Sequence, residues 1–295
     1  MSYEIFEILK SLQHLKNKKI LILSGGGFKG ISYIGAFNYL QEIQQLNQIF
    51  VYAGTSIGSV FVFLLNIGFT VNELEKFIME LNFKKLISFS LHKLCKYNGL
   101  NDGKKFIELL KKALKYKNLN TNITFKELFI KTKKLLFINS SNITQKKTEY
   151  FNFFDTPDFK VVNAIRMSIS LPIFLIPVFY NNNYYVDGGL TESFLYNYIV
   201  QWGFNSKNII GIALFDKHDN KKNNLYHYLL NIYYTSFVKF YKNLRNIIYI
   251  NIPDNNSFTT FYLTKEKKKN LINIGYNETK NYFNKKYYNI YNTRA

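Results

Sequence analysis

Cysteine is almost absent from this 295-residue chain. Cys95 stands alone, so no intrachain disulfide can form and nothing calls for an oxidising compartment. Arginine is nearly as scarce: Arg166, Arg245 and Arg294 are the only three, and lysine supplies the rest of the positive charge behind a formal net charge of +20. Lysine is a strongly hydrated point charge, whereas arginine is the usual tool for bidentate reading of phosphates and bases. The excess therefore suits diffuse attraction to an anionic membrane surface, and not sequence-specific recognition of nucleic acid. Part of it is codon bias, because 28 Phe, 24 Tyr and abundant Asn, Ile and Lys are what an AT-rich coding sequence favours. Long apolar runs are missing as well. Val60-Phe61-Val62-Phe63-Leu64-Leu65 is the densest, far short of the about eighteen residues that span a bilayer. The first residues, Met1 to Glu7, lack the basic start and apolar stretch of a signal peptide. These absences predict a cytoplasmic protein, not secreted and without a transmembrane helix, able to associate peripherally with membranes. No internal repeat is found.

What the chain does have is an ordinary globular balance, 47% apolar and 20% charged, and enough length to bury the core of one large α/β domain. Two glycine-framed segments stand out. Gly25-Gly26-Gly27-Phe28-Lys29-Gly30 follows the apolar run Ile20-Leu21-Ile22-Leu23, and Gly54-Thr55-Ser56-Ile57-Gly58 follows Ile49-Phe50-Val51-Tyr52-Ala53. Each reads as a buried strand running through glycine into a helix. The first turn offers closely approachable backbone N–H groups. The second is a G-x-S-x-G elbow, which exposes a serine Oγ on a tight strand-to-helix turn. A nucleophile beside a cradle for negative charge is half of an acyl-transfer site.

Along the chain, strands are expected at 20–24 and 49–53 and helices at about 28–46 and 56–67, the alternation of a parallel sheet flanked by helices. Residues 71–117 are helical in pattern, with Lys104-Lys105 and Lys111-Lys112 on a solvated face. Strands follow at 135–138 and 149–154 around a polar turn at 144–147. A short helix over 162–170 is stopped by Pro172, and brief strands are expected at 184–186 and 208–214. Past Phe215 the character changes to a polar loop at 217–224, a helix over 225–244 with an aromatic face, and a basic ending from Lys265. The expected division is a catalytic domain over 18–215 and a basic, aromatic-rich region over 216–295 that packs on it or extends it. The 225–244 face suits either core packing or dipping into a lipid interface.

Each motif has a plainer reading. Gly25-x-Gly27-x-x-Gly30 also fits the dinucleotide fingerprint, but that reading wants an acidic residue at the end of the next strand. A serine elbow stands there instead. Ser56 read structurally is a helix cap on a tight turn. Against that, the glycine cradle precedes the elbow by one βα unit, so both turns lie at the same carboxyl edge of the sheet. Asp187-Gly188-Gly189 then places an acid on a third glycine turn. Lys29 is either a cation near substrate or a salt-bridged surface residue.

Together these residues resemble the patatin-like phospholipases. Gly25 to Gly30 matches the family's G-G-G-x-[KR]-G, Gly54 to Gly58 its G-T-S-x-G, and Asp187-Gly188-Gly189 its D-G-[GA]. Ala164-Ile165-Arg166-Met167-Ser168-Ile169-Ser170-Leu171-Pro172, with Phe174 and Pro177 after it, is similar to the family's A-x-R-x-S-x-S/A-x-P-x-x-F block. The likeness covers roughly residues 20 to 215. One departure is that Ser193 and Leu195 stand where the family carries Asn and Pro after the acid turn.

The resemblance implies a three-layer α/β/α fold with a mostly parallel central sheet. It implies a lipid acyl hydrolase that cleaves phospholipid or lysophospholipid esters through a Ser56–Asp187 dyad, without cofactor or metal. The oxyanion hole would lie along Gly25, Gly26, Gly27, Phe28, Lys29 and Gly30, with Gly54, Thr55, Ile57 and Gly58 framing the nucleophile and Gly188 and Gly189 the acid. The alternative is a catalytically weak lipid-binding or scaffold protein that keeps the fold. A histidine triad would need His218 or His227, which follow Asp187 in hydrolase order but lack a positioning context; His14 and His92 read as surface residues.

Overall fold

The computed structural model describes residues 19–86, 89–217, 244, 246–253 and 263–292. Its centre is an eight-stranded sheet. Strand β1 (Lys19–Leu23) pairs in parallel with β2 (Ile49–Gly54), and β2 pairs in parallel with β4 (Leu135–Asn142). On the other side of β1 lie β9 (Ile209–Lys217) and then β10 (Ile247–Pro253), both parallel. Beyond β4 the sheet turns antiparallel, through β5 (Lys147–Phe151) and through β8 (Asn183–Val186) with its hairpin partner β7 (Val178–Tyr180). The order β10-β9-β1-β2-β4-β8-β7 puts β1 and β2 at the middle. A two-stranded parallel ribbon, β3 (Gly99–Asn101) with β6 (Ile173–Leu175), stands apart.

Successive side chains of a strand face opposite ways, and β1 divides its residues accordingly between two cores. Leu21 and Leu23 join one core with helices α1 (Ser32–Glu42), α2 (Ile57–Asn66), α3 (Val71–Glu80), α6 (Lys104–Tyr116) and α8 (Val161–Ser168). Ile20 and Ile22 join the other, closed by α9 (Tyr196–Gln201), by Phe129 of α7 (Phe125–Thr132) and by Phe153 and Phe204. Strands buried on both faces read as unbroken apolar runs, which is why β1 and β2 were visible in the sequence.

Two short helices, α4 (Phe83–Leu86) and α5 (Leu91–Tyr97), precede β3, so the 71–117 stretch is helical with a strand set into it. The expected first helix opens as a tight 3₁₀ turn, Gly27–Ile31, before α1 begins. The helix expected over 225–244 lies outside the described residues except for Leu244. After it, β10 extends the same sheet, and the boundary expected after residue 215 falls within β9.

The long helix α10 (Lys265–Asn292) lies across α1. Glycine makes the crossing close: a Cβ on Gly35 would fall 1.8 Å from the Ile272 carbonyl oxygen, and one on Gly275 1.9 Å from that of Ser32. Leu271 and Ile272 are buried against the sheet-side core. Lys268, from the basic ending, is buried too. Its ammonium donates to the carbonyls of Ile78 (2.8 Å) and Leu81 (2.7 Å), capping the C-terminal end of α3 where a cation is favoured.

Candidate functional site

Leu23 of β1 sits opposite Gly54 of β2, so the two strands release their glycine turns side by side at one edge of the sheet. A Cβ on Gly25 would lie 3.4 Å from the Ser56 Cβ. The elbow is tight throughout. A Cβ on Gly58 would reach within 2.5 Å of the Ser24 carbonyl oxygen, and one on Gly54 within 2.5 Å of Gly58 backbone. Ser56 itself has φ 52° and ψ −127°, a conformation L-residues avoid and surrounding structure must hold. The restraints are visible: Thr55 N–H donates to Leu23 (3.2 Å), Gly58 N–H to Thr55 (2.8 Å), and Ser59 Oγ to the Ser56 carbonyl (2.6 Å).

By position Ser56 is the N-cap of α2, yet its side chain caps nothing. Its Oγ instead donates to Asp187 Oδ2 at 2.5 Å. Thus the plain capping role is absent, and the hydroxyl is committed to a carboxylate 131 residues away in sequence. Asp187 follows β8 and is 1% exposed. Its other oxygen, Oδ1, accepts the Gly189 N–H at 2.8 Å, which fixes the carboxylate plane and leaves Oδ2 for the serine.

The sequence motifs name these two side chains but not what carries them. α8 does much of it. Ser168 Oγ accepts the Ser56 N–H at 2.9 Å, and the Ser170 carbonyl accepts the Asp187 N–H at 2.8 Å. Arg166 is buried and donates to Ser170 Oγ, to the Ile176 carbonyl (2.8 Å) and to that of Asp102 (3.1 Å). Burial lowers its pKa to about 10, which leaves it charged at neutral pH. Strand β4 holds the acid turn from the other side. Ser140 Oγ donates to the Val186 carbonyl (2.6 Å), Ser141 Oγ to that of Asp187 (2.8 Å), and Asn139 Nδ2 to those of Gly188 (3.3 Å) and Glu192 (2.6 Å). An Asn-Ser-Ser-Asn run straight after an apolar strand was the available signal for this cradle. Where the family pattern is departed from, the Ser193 carbonyl accepts the Gly25 N–H (3.1 Å) and Leu195 is buried in the second core.

The glycine turn is anchored from below. Tyr33 is fully buried and its hydroxyl donates to the Ser24 carbonyl at 2.6 Å, while burial raises its pKa above the usual tyrosine value. Of the six turn residues, Gly25 donates its N–H to Ser193 and Lys29 its N–H to Gly26 (3.2 Å). Among the described residues no acceptor pairs with the N–H of Gly26 or Gly27. At Gly27 the φ of +55° favours glycine, and a Cβ would meet nothing within 4 Å, so the turn opens onto free space there. A Cβ on Gly26 would strike Leu214 at 2.7 Å, and one on Gly30 would strike Ile57 at 2.7 Å. The Phe28 ring meets Phe83 of α4 edge-on, centroids 5.1 Å apart. Lys29 is 2% exposed, so it is not a solvated surface residue.

His92 is exposed on α5, and His14, His218 and His227 lie outside the described residues. Among the described residues no three His, Cys, Asp or Glu side chains cluster as metal ligands would, and no helix is long and apolar enough to cross a membrane.

The family model of the patatin-like phospholipases matches residues 21–198, more than half of the chain and all four motifs. The chain belongs to that family. Among curated proteins it is 34% identical over 198 residues to the probable lipid hydrolase 463L of Invertebrate iridescent virus 6, covering 65% of this chain and 67% of that one. It is 29% identical over 285 residues to the uncharacterized protein R571 of Acanthamoeba polyphaga mimivirus, covering 89% and 92% respectively. Among solved structures the fold is similar to that of VipD from Legionella pneumophila, with a TM-score of 0.60 at 17% identity. That match takes in 90% of this chain but 66% of VipD, so this chain spans just under two thirds of that protein.

Proposed function

We propose that this protein is a serine-dependent lipid acyl hydrolase acting on the ester bonds of phospholipids or lysophospholipids, with Ser56 as nucleophile and Asp187 as its base. The observation that carries the reading is the 2.5 Å hydrogen bond from Ser56 Oγ to a buried carboxylate. It sits beside a glycine turn whose N–H groups at Gly26 and Gly27 have no acceptor among the described residues. Family membership and the lipid hydrolase relative support the substrate class.

In this reading Ser56 Oγ attacks the ester carbonyl carbon while its proton passes to Asp187 Oδ2. The carbonyl oxygen, now an oxyanion, is held by the backbone N–H groups of the glycine turn. As the tetrahedral intermediate collapses, the bond to the alcohol breaks and the leaving oxygen takes the proton from Asp187. Water then repeats the sequence on the acyl-serine: Asp187 accepts its proton, the hydroxyl attacks, and Ser56 Oγ leaves reprotonated with release of the fatty acid. Dispersed lysine charge would favour anionic membrane surfaces over neutral ones.

Lipid mass spectrometry of products from a mixed membrane extract tests the proposal. Wild type is expected to release free fatty acid and the matching lysolipid or deacylated headgroup, and Ser56→Ala to release neither. Equal product from both proteins would overturn it.

A further inference from the structure

We propose that helices α4 and α5, with Phe89 and Ser90 leading into α5, form the face on which this protein seats itself against an anionic phospholipid surface. The inference rests on the lipid acyl hydrolase reading for its choice of occupant. Three independent observations converge there. The first is exposed apolar surface: Leu91 is 75% exposed, Phe89 49% and Tyr97 47%. Leu91 opens α5, on which His92, Cys95 and Lys96 are also exposed.

The second is charge. Lys84, Lys85, Lys93, Lys96, Lys104 and Lys105 crowd into residues 81–105, with Asp102 as the single acid, itself engaged by Lys93 at 2.9 Å. Exposed apolar side chains on helices that also carry lysine suit the headgroup boundary of a bilayer, where apolar groups enter and ammonium groups stay with phosphate. The same charge opposes a second copy of this chain as occupant, because six lysines would face six lysines.

The third is position. The Phe83 ring rests edge-on against Phe28 of the glycine turn, and the Lys268 ammonium lies over the Phe83 ring, 5.3 Å from its centroid. Downstream, β3 pairs with β6, which begins three residues after Ser170, the residue whose carbonyl holds Asp187. The face is thus tied at both ends to the two turns that form the site. A bilayer docked on it would present acyl esters beside Ser56.

Cys95, the chain's single cysteine, is exposed on α5 and gives a direct probe. Full-length protein labelled there with a polarity-sensitive fluorophore is mixed with vesicles of phosphatidylcholine alone or with phosphatidylglycerol added. The expected result is a blue shift with the anionic vesicles that fades as salt rises, and none with the neutral ones. A variant carrying Phe89→Asn, Leu91→Asn, Lys84→Gln and Lys96→Gln is expected to bind anionic vesicles at least ~10-fold more weakly, given roughly a kcal/mol per lysine near such a surface. It should hydrolyse a soluble short-chain p-nitrophenyl ester at the wild-type rate. Wild type that ignores anionic vesicles, vesicle-bound protein whose fluorophore stays in water, or undiminished binding by the variant would each overturn the proposal. So would a concentration-dependent dimer that the variant abolishes while vesicle binding is unchanged, since that assigns the face to a second copy. If the wild type shows the shift but cleaves no ester, the enzymatic reading fails and the surface stands.

Discussion

Ser168 and Ser170 lie two residues apart at the end of α8 and take hold of opposite halves of the site. One accepts the Ser56 N–H through its side chain, and the other accepts the Asp187 N–H through its carbonyl. The distance between Ser56 and Asp187 is therefore set by a single turn of backbone, which Arg166 pins in place. This makes the pair a target separate from the proposed dyad.

Ser168→Ala should leave Ser56 chemically intact but deprive its N–H of an acceptor at a strained φ. Leaving a buried donor unpaired costs about 1–3 kcal/mol, so kcat should fall roughly ten- to a hundred-fold if that cost reaches the transition state. Labelling by a fluorophosphonate should slow without disappearing. A wild-type kcat in a folded Ser168→Ala protein would remove the positioning role.

Asp187→Asn separates a dyad from a triad. The amide is nearly isosteric but cannot take the serine proton, and losing a general base typically costs ~10²–10⁴-fold. His218→Ala and His227→Ala should each keep activity within a few-fold of wild type. A histidine variant as damaged as Asp187→Asn would make that histidine the base and Asp187 its orienter.

Two glycine substitutions divide sterics from conformation in the proposed oxyanion turn. Gly26→Val forces a Cβ onto Leu214 and should abolish turnover, since losing one oxyanion donor costs ~3 kcal/mol. Gly27→Ala meets no atom, so its penalty is the left-handed φ alone, about 1–2 kcal/mol. A melting experiment on Gly27→Ala should show a modest loss of stability, with activity lowered but measurable. Equal inactivation by both substitutions would argue against this division.

Glu73 gives a pH signature of stability remote from the site. Its hydrogen bond from Lys117 leads the lowering of its pKa to about 2, with the Thr70 N–H of the capping box adding to it. A depressed carboxylate contributes stability above its unfolded pKa and loses it as pH falls through the folded value. Glu73→Gln should thus destabilise the protein at pH 7, by no more than about 1 kcal/mol because the pair is partly solvated. The difference from wild type should shrink below pH 4 and vanish near pH 2. Thermal melts of both proteins across that range would show it, and a constant offset at every pH would contradict the assignment.

The parts of this molecule that could be read from sequence are those where one residue type meets one backbone need. Gly54, Ser56, Gly58 and Asp187 each satisfy a local requirement of a turn, and β1 and β2 carry the apolar runs of strands buried on both faces. What was hidden depends on partners far away in the chain. Asn139 to Asn142 lie past the strand expected over 135–138, and nothing local says that the side chains of Asn139, Ser140 and Ser141 meet the carbonyls of the acid turn. Ser168 read as part of a motif without a task for the same reason. β3 is three residues long and paired only with β6, too short for any periodicity to emerge from helical surroundings. The run Ile247-Ile248-Tyr249-Ile250 did carry a strand signal, masked by the polar, lysine-rich composition on either side. Likewise the basic ending concealed a buried lysine, since Lys268 is indistinguishable in sequence from its solvated neighbours Lys267 and Lys269.

The glycine crossing of α1 and α10 bears on how the chain is made. Gly35 packs on the backbone of Ile272 and Gly275 on that of Ser32, contacts more than 200 positions apart, so the core against α1 cannot close until α10 has been synthesised and has left the ribosome. Contacts of such separation form late, after the entropy of closing a long loop has been overcome. The glycine turn of the site leads directly into α1 and shares its fate. A chain built this way would firm the support beneath its glycine turn only once α10 has emerged, which ties the order of the proposed site to the order of synthesis.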